Sequence, residues 1–422
     1  MHDLARLKYL VPAILTPALA FGCTLKIRDY GAGGAGGNGG GGAPQNSVSS
    51  SGGGAPTSSS GGGAPTSTSS AMVVCTTPQV ACGGACVDLT TSAAHCGACG
   101  HDCGGATCMN GSCQPQTLAT NQPGLSNIAI DGANLFFGTN DDAASNHLAV
   151  TCPVTGCVGK PKQLASYGQY INTVAAGNGM MVFQSSPIQA TDHPGLYYCP
   201  QAGCAGDPTT LHGITFSGFS FDRVEGAHVT YYGPGLGLFS SVCTLNGGSC
   251  ADSITVLAAK NIDTISADAM NVYFVNHLTN NGTTTDVLQT CPDFAPCTPA
   301  TLLTLTSPPV KTAAFGGTAY LLYSGMQGGV PGGSIQRCPA TGCQGTAQSF
   351  VTKQAFPTDL AVDATGVYWI NGDDHAIKTC ALTACVGGPR TLAQGLTNPK
   401  YLALDDKFVY WVDGASILRV AK

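Results

Sequence analysis

The chain has 422 residues, only 9% of them charged, with a formal net charge of −6, 58 glycines and 21 cysteines. An ordinary soluble domain carries about 25% charged residues, and here Glu225 is the only glutamate, so solvated helices are disfavoured and strands joined by tight turns are expected. With no basic tract to neutralise phosphates, nucleic acid is excluded as a partner. So many cysteines point to an oxidising compartment.

Arg6 and Lys8 precede an apolar run from Tyr9 to Gly22. The run is too short to span a bilayer and reads as a secretory signal peptide over residues 1–22. Its end, Leu19-Ala20-Phe21-Gly22-Cys23, resembles a bacterial lipobox, in which a small residue precedes a cysteine that is diacylated and becomes the mature N-terminus. Ala20 stands where that pattern prefers leucine. The rival is cleavage after Ala18-Leu19-Ala20, an A-x-A site that would release a soluble secreted protein. Thr24 is not the aspartate that retains lipoproteins at the inner membrane, so the resemblance implies an exported, outer-membrane-anchored lipoprotein of bacterial type, touching the membrane through its lipid alone. Residues 23–70 would be the lipidated cysteine and its tether. From Gly31 to Ser70 the chain is Gly/Ser/Ala/Pro-rich and repeats SSSGGGAPT at Ser49–Thr57 and Ser58–Thr66. Such a tract cannot bury a core and is expected to be disordered, with a reach of roughly 35 Å.

Cysteine arithmetic divides the rest. Cys23 stands alone. Eight cysteines, Cys75, Cys82, Cys86, Cys96, Cys99, Cys103, Cys108 and Cys113, crowd a module at residues 71–114 with few core-forming side chains. Four disulfides are expected there, with 105 possible connectivities; zinc at Cys96, Cys99 and Cys103 beside His95 and His101 is the rival. Twelve more form six close pairs: Cys152/Cys157, Cys199/Cys204, Cys243/Cys250, Cys291/Cys297, Cys338/Cys343 and Cys380/Cys385. Both larger groups are even, and acylation would account for the odd thiol. The module's pattern, C-x3-C-V-D, H-C-G-x-C-G-x-x-C, then C-x-x-G-x-C, resembles the stigma-specific cysteine-rich family and related modules of predatory soil bacteria, of myxobacterial type. That resemblance implies a secreted interaction module.

Residues 115–422 repeat. An apolar or aromatic pair recurs with its later member at Phe137, Phe183, Tyr232, Phe274, Tyr323, Trp369 and Trp411, 42 to 49 residues apart, a period that marks propeller blades. The clearest copy reads Pro357–Asp363, Gly366–Asn371, Ala376–Cys380 and Arg390–Ala393, four short strands separated by turn residues. The last copy stops after three strands, whereas Gln116-Thr117-Leu118-Ala119, ahead of the first copy, matches the fourth-strand pieces. The N-terminal strand can therefore complete the last blade and close the ring. The predicted fold is an all-β, seven-bladed propeller, with six blades as runner-up. Each cysteine pair sits between third and fourth strands, where a disulfide can close a hairpin; the seventh blade lacks one because those strands come from opposite chain ends. Tyr368-Trp369-Ile370-Asn371 and Tyr410-Trp411-Val412-Asp413 resemble the YWTD repeat, and Pro-x-x-Leu-Ala-x-Asp resembles NHL-like blades, which implies binding of protein or ligand.

Asp131, Asp222, Asp268, Asp363 and Asp405 recur between first and second strands, where carboxylates can accept hydrogen bonds from turn amides. The loops after the second strands carry Asp141, Asp142, Asp192, His193, His277, Asp373, Asp374, His375 and Asp413. These are the candidate binding residues, and calcium is the cofactor their carboxylates would admit if they converged; otherwise no metal, cofactor or catalytic residue is expected. No calcium loop, HExxH, GxSxG or phosphate-binding loop is present. The expected function is that of a monomeric cell-surface or periplasmic lipoprotein binding a protein or glycan through the propeller. The alternatives are a metal-dependent propeller lyase or hydrolase, and a structural envelope or matrix component.

Overall fold

A computed structural model describes residues 73–422, apart from 145, 187–194, 205, 214–219, 226–227, 234–236, 243–253, 259–260, 293–295 and 328–329. The signal peptide, Cys23, the tether, Asp192, His193, Cys243, Cys250 and the side chain of Asp222 lie outside that description.

Among the described residues the chain forms seven four-stranded antiparallel sheets in sequence order, the blades of a propeller. Blade 1 runs through Ile128–Asp131, Asn134–Asp141, Asn146–Pro153 and Lys162–Tyr167, and blade 6 through Pro357–Val362, Val367–Asn371, Ala376–Cys380 and Arg390–Ala393. Blade 7 takes Pro399–Leu404, Phe408–Asp413 and Ser416–Ala421 from the end of the chain and its fourth strand, Gln116–Ala119, from the front. The register places Ile417 opposite Ala119, Leu418 opposite Thr117 and Arg419 opposite Gln116.

Each sheet is covered on both faces by its neighbours, which is why the second strands read as unbroken apolar runs. Val367–Asn371 is buried at every residue, and Trp369 and Trp411 are fully enclosed. The core lies between blades. Phe137, Val150, Tyr410, Val412 and Ile417 meet Leu118 where blade 7 meets blade 1, and Tyr320 and Leu322 meet Leu360 and Trp369 between blades 5 and 6.

The repeated aspartates pin turns and join blades. Asp268 accepts from the Met270 and Asn271 amides of its own turn, from the Tyr273 hydroxyl and from the Gly317 amide of the next blade at 2.7 Å. Asp131 reaches the Gly179 amide of blade 2 in the same way. Asp405 holds the Lys407 and Phe408 amides and the Tyr410 hydroxyl. Burial, with the neighbouring carboxylate adding to it, pushes the phenols of Tyr273 and Tyr410 far above the usual tyrosine range, so both remain donors. Asp363 takes the Thr365 and Gly366 amides on one oxygen and the Lys422 ammonium of blade 7 on the other.

Five of the six propeller cysteine pairs are described, and each forms a disulfide at its hairpin: Cys152–Cys157, Cys199–Cys204, Cys291–Cys297, Cys338–Cys343 and Cys380–Cys385. These hairpins also bind the preceding blade. The amides of Cys157, Cys204 and Cys343 donate to the carbonyls of Leu118, Leu164 and Leu302, each in the fourth strand before. Gly156 sits at φ +125°, a left-handed backbone that favours glycine, and a Cβ there would stand 3.7 Å from the Leu118 carbonyl oxygen. The bond therefore braces a loop that clasps its neighbour. Replacing Cys380 and Cys385 together by serine is expected to cost about 2 kcal/mol, read as a lower denaturation midpoint with an unchanged slope.

The cysteine-rich module is paired Cys75–Cys86, Cys82–Cys99, Cys96–Cys108 and Cys103–Cys113. The Cys96, Cys103 and Cys113 sulfurs lie within 4.8 Å of one another, but each belongs to a disulfide and is not the thiolate that zinc requires. The module shares one compact unit with the propeller. Its buried cysteines Cys96, Cys103, Cys108 and Cys113 pack in one cluster with Tyr368, Ile370, Val409, Trp411 and Val420 of blades 6 and 7. At this junction His101 Nε2 lies 2.7 Å from the Lys422 main-chain oxygen.

Candidate functional site

All blades run in the same sense, so the loops after second strands share a face with the connections from fourth strands to the next blade. That face carries the candidate residues, and the structure gives each a specific place.

In blade 1, Asp141 Oδ1 accepts from the Ala144 amide at 3.2 Å, which closes its own turn. Asp142 meets Tyr170 of blade 2; that hydrogen bond, then burial, raises the Tyr170 phenol above its ordinary range. The Tyr170 ring stands 4.7 Å from the buried ring of His147.

In blade 4, His277 Nδ1 lies 2.6 Å from Asp286 Oδ1, and its Nε2 lies 3.8 Å from Asp263 Oδ2. Neither aspartate was among the sequence candidates, though a signal existed. Asn281 and Gly282 have φ of +49° and +79°, the backbone of a two-residue hairpin turn that Asn-Gly favours. Counting back from that turn sets His277 opposite Asp286, as the strand register has it.

In blade 6, three of the four backbone amides from Gly372 to His375 are tied down. The Gly372 amide donates to Phe356 O, the Asp373 amide to Ala355 O, the His375 amide to Gly372 O, and the His375 carbonyl accepts from Leu396. His375 is held at φ +47°, a left-handed conformation that few non-glycine residues adopt. Asp374 Oδ2 accepts from Asn371 Nδ2 at 3.0 Å and lies 3.9 Å from Lys378 Nζ. Asn371 is in turn held by Gln354, which also receives the Trp369 indole N–H. The side chains of Asp373 and His375 stay exposed on this fixed backbone, with no hydrogen bond to described residues. In blade 7, Asp413 Oδ1 accepts the Thr397 and Asn398 amides at 2.9 and 2.6 Å and so spans the connection between blades 6 and 7.

The face is therefore a ring of separately braced loops. Among the described residues the only His, Cys, Asp or Glu group with three ligand atoms within 4.8 Å is the cysteine cluster of the small module, so the described candidates do not converge on one point. Asp141, Asp374 and Asp413 are engaged in their own or adjacent turns, which holds their carboxylates apart.

Comparison with known proteins fits this architecture. Residues 65–116 match the model of the stigma-specific STIG1-like protein family. No curated protein matches the chain. Among solved structures, the β-propeller domain of the trilobed protease from Pyrococcus furiosus is similar with a TM-score of 0.51 and 7% identity, over 71% of this chain and 95% of that one. That domain has an open velcro topology, whereas this chain joins its two ends in blade 7. A prolyl endopeptidase aligns with a TM-score of 0.49 at 12% identity over 72% of this chain, which spans about half, 47%, of that enzyme's length. A catalytically inactive virginiamycin B lyase from Staphylococcus aureus, in complex with quinupristin, aligns with a TM-score of 0.45 at 12% identity, over 73% and 99% of the two chains. At such identities the likeness is one of fold. The chain thus carries a STIG1-like disulfide-rich module followed by a β-propeller, and the module and many disulfides suggest an extracellular protein.

Proposed function

We propose that the chain is an extracellular binding protein that recognises its partner with the loops after its second strands. The observation that carries this reading is the blade 6 loop, where the amides of Gly372, Asp373 and His375 are tied down while the side chains of Asp373 and His375 remain exposed with no hydrogen bond to described residues. A fixed backbone displaying polar side chains pays little ordering entropy on binding. Arrays of cell-envelope proteins and of glycans, probed with the full chain, test it. Asp373→Ala combined with His375→Ala is expected to weaken the envelope-protein hits by about tenfold or more, since two polar contacts are lost, with the melting temperature within about 2 °C. Envelope-protein hits that survive the double substitution would remove these loops from protein recognition.

The binding reading is completed by an address. Cys23 is acylated and anchors the chain to a bacterial outer membrane, with the Gly/Ser-rich residues 31–70 between the anchor and the folded part. What supports this is the resemblance of Leu19–Cys23 to a lipobox together with the even count of the other cysteines. Intact mass of the mature protein is expected to show a diacylglycerol adduct on Cys23. An unmodified chain beginning at Phe21 would show instead a soluble secreted protein.

A further inference from the structure

A cleft of about 570 Å³ opens between blades 4 and 5, within the range of small-molecule sites. Its walls come from the end of blade 4 and the connection that follows it (Leu303 to Pro308), from the end of the second strand of blade 5 (Tyr323 to Gly325), and from Ser334 and Gln336 of its third strand. Part of the cleft therefore lies on the same face as the blade 6 loop.

Three features define what it can hold. No charged or imidazole side chain lines it; an anion would require arginine, lysine or a comparable array of donors, and a metal cation would require carboxylates or imidazoles. The polar side chains are all neutral, seven hydroxyls and the Gln336 amide, interleaved with Leu303, Leu305, Pro308 and Ala347. Burial pushes the Tyr323 phenol up to about 12, so it presents a neutral hydroxyl and an aromatic face at ordinary pH. Finally, the Ser324 hydroxyl oxygen is buried with no hydrogen-bond partner among the described residues, and a buried hydroxyl in that state favours a ligand able to complete its hydrogen bonding.

Blade 5 is also distinct locally. Its second-to-third connection contains a small hairpin, Met326–Gln327 with Val330–Pro331, which is the only such extra sheet in a blade connection among the described residues. The base of the hairpin is tied by a hydrogen bond from the Gly332 amide to the Gly325 carbonyl at 3.0 Å, and both glycines line the cleft.

We infer that this cleft binds a neutral saccharide, a ligand whose hydroxyls alternate with apolar C–H faces as the lining does; the inference rests on the binding reading above and gives it a ligand class. A glycan array carrying neutral gluco-, manno-, galacto- and N-acetylglucosamine oligosaccharides beside sulfated and sialylated ones, probed with the full chain, tests it. The wild type is expected to retain neutral glycans. Gln336→Leu and Ser324→Ala are each expected to weaken retention by about tenfold, and Ser334→Phe, which fills the cleft, to abolish it, all with melting temperatures within about 2 °C of wild type. Retention of charged glycans alone, no glycan retained, or neutral-glycan binding indifferent to all three substitutions overturns the inference. If envelope-protein hits persist and are lost on Asp373→Ala with His375→Ala, the broader binding reading stands without the saccharide cleft. Absence of both kinds of hit removes both.

Discussion

Leu118→Asp is expected to leave the propeller without a cooperative thermal transition, although the substitution falls before the first repeat. Leu118 is 4% exposed, in the strand that completes blade 7, against Phe137, Val150, Tyr410 and Ile417. A carboxylate there would have no counter-charge in the cluster, and the strand would leave the sheet to stay hydrated. Its loss exposes the edge of Ser416–Ala421 and uncovers the face of blade 1, so the seam that holds first and last blades together opens. The milder Leu118→Ala should cost about 2–5 kcal/mol, the range for a buried leucine truncated to alanine. Circular dichroism melts of both variants decide the matter. An Ala variant that melts with the wild type would mean that the segment is not a strand of the ring.

The second large effect is expected at Arg419, whose residue is 4% exposed and whose guanidinium has no carboxylate partner among the described residues. It donates from Nε and Nη2 to Gln116 Oε1 at 3.0 and 2.8 Å, from Nη1 to the Val154 carbonyl at 2.9 Å, and from Nη2 to the Gly104 carbonyl at 3.2 Å. The Phe408 ring lies 4.0 Å beneath it. One side chain thus joins the closing strand, blade 1, blade 7 and the cysteine-rich module. Arg419→Met keeps much of the stem but leaves those acceptors unpaired, at a cost of about 3 kcal/mol or more. Arg419→Lys should recover little, because a single ammonium cannot reproduce a planar fork reaching three acceptors. Gly104→Ala strikes the same junction by another route, since a Cβ would fall 2.1 Å from the Phe408 ring. The two substitutions should be non-additive when combined, because they share a partner. Equal stability of wild type and Arg419→Met in guanidinium titrations would remove the clamp.

The ring and its closure could be read from the sequence because they depend on repetition. Seven aromatic or apolar pairs at a blade-sized interval, and a Gln116–Ala119 segment that looked like a fourth strand without a blade, were enough. The hairpin disulfides were equally readable because their partners are five or six residues apart. What could not be read depends on contacts between distant residues. The module's four disulfides were one choice among many until the chain was placed. Its docking against Tyr368 and Trp411 leaves no local mark, nor does the reach of Asp131 and Asp268 to amides one blade further on. Asp373, Asp374 and His375 do fall in a loop, but His277, expected in one, lies within the strand Asn271–Asn280, and sequence position carries no information on whether a carboxylate closes its own turn, as Asp141 does, or spans two blades, as Asp413 does. The His277–Asp286 pair lies between these cases, since the Asn-Gly turn fixes its register without revealing Asp263.

Amide hydrogen exchange followed by mass spectrometry on the intact, oxidised protein tests the closed ring most directly. Peptides covering Gln116–Ala119 and Ser416–Ala421 should share the slow exchange of the central blade strands such as Val367–Asn371, and should be released only by opening of the whole propeller. Fast exchange of Gln116–Ala119, at the rate of a surface loop while Ser416–Ala421 stays protected, would contradict it.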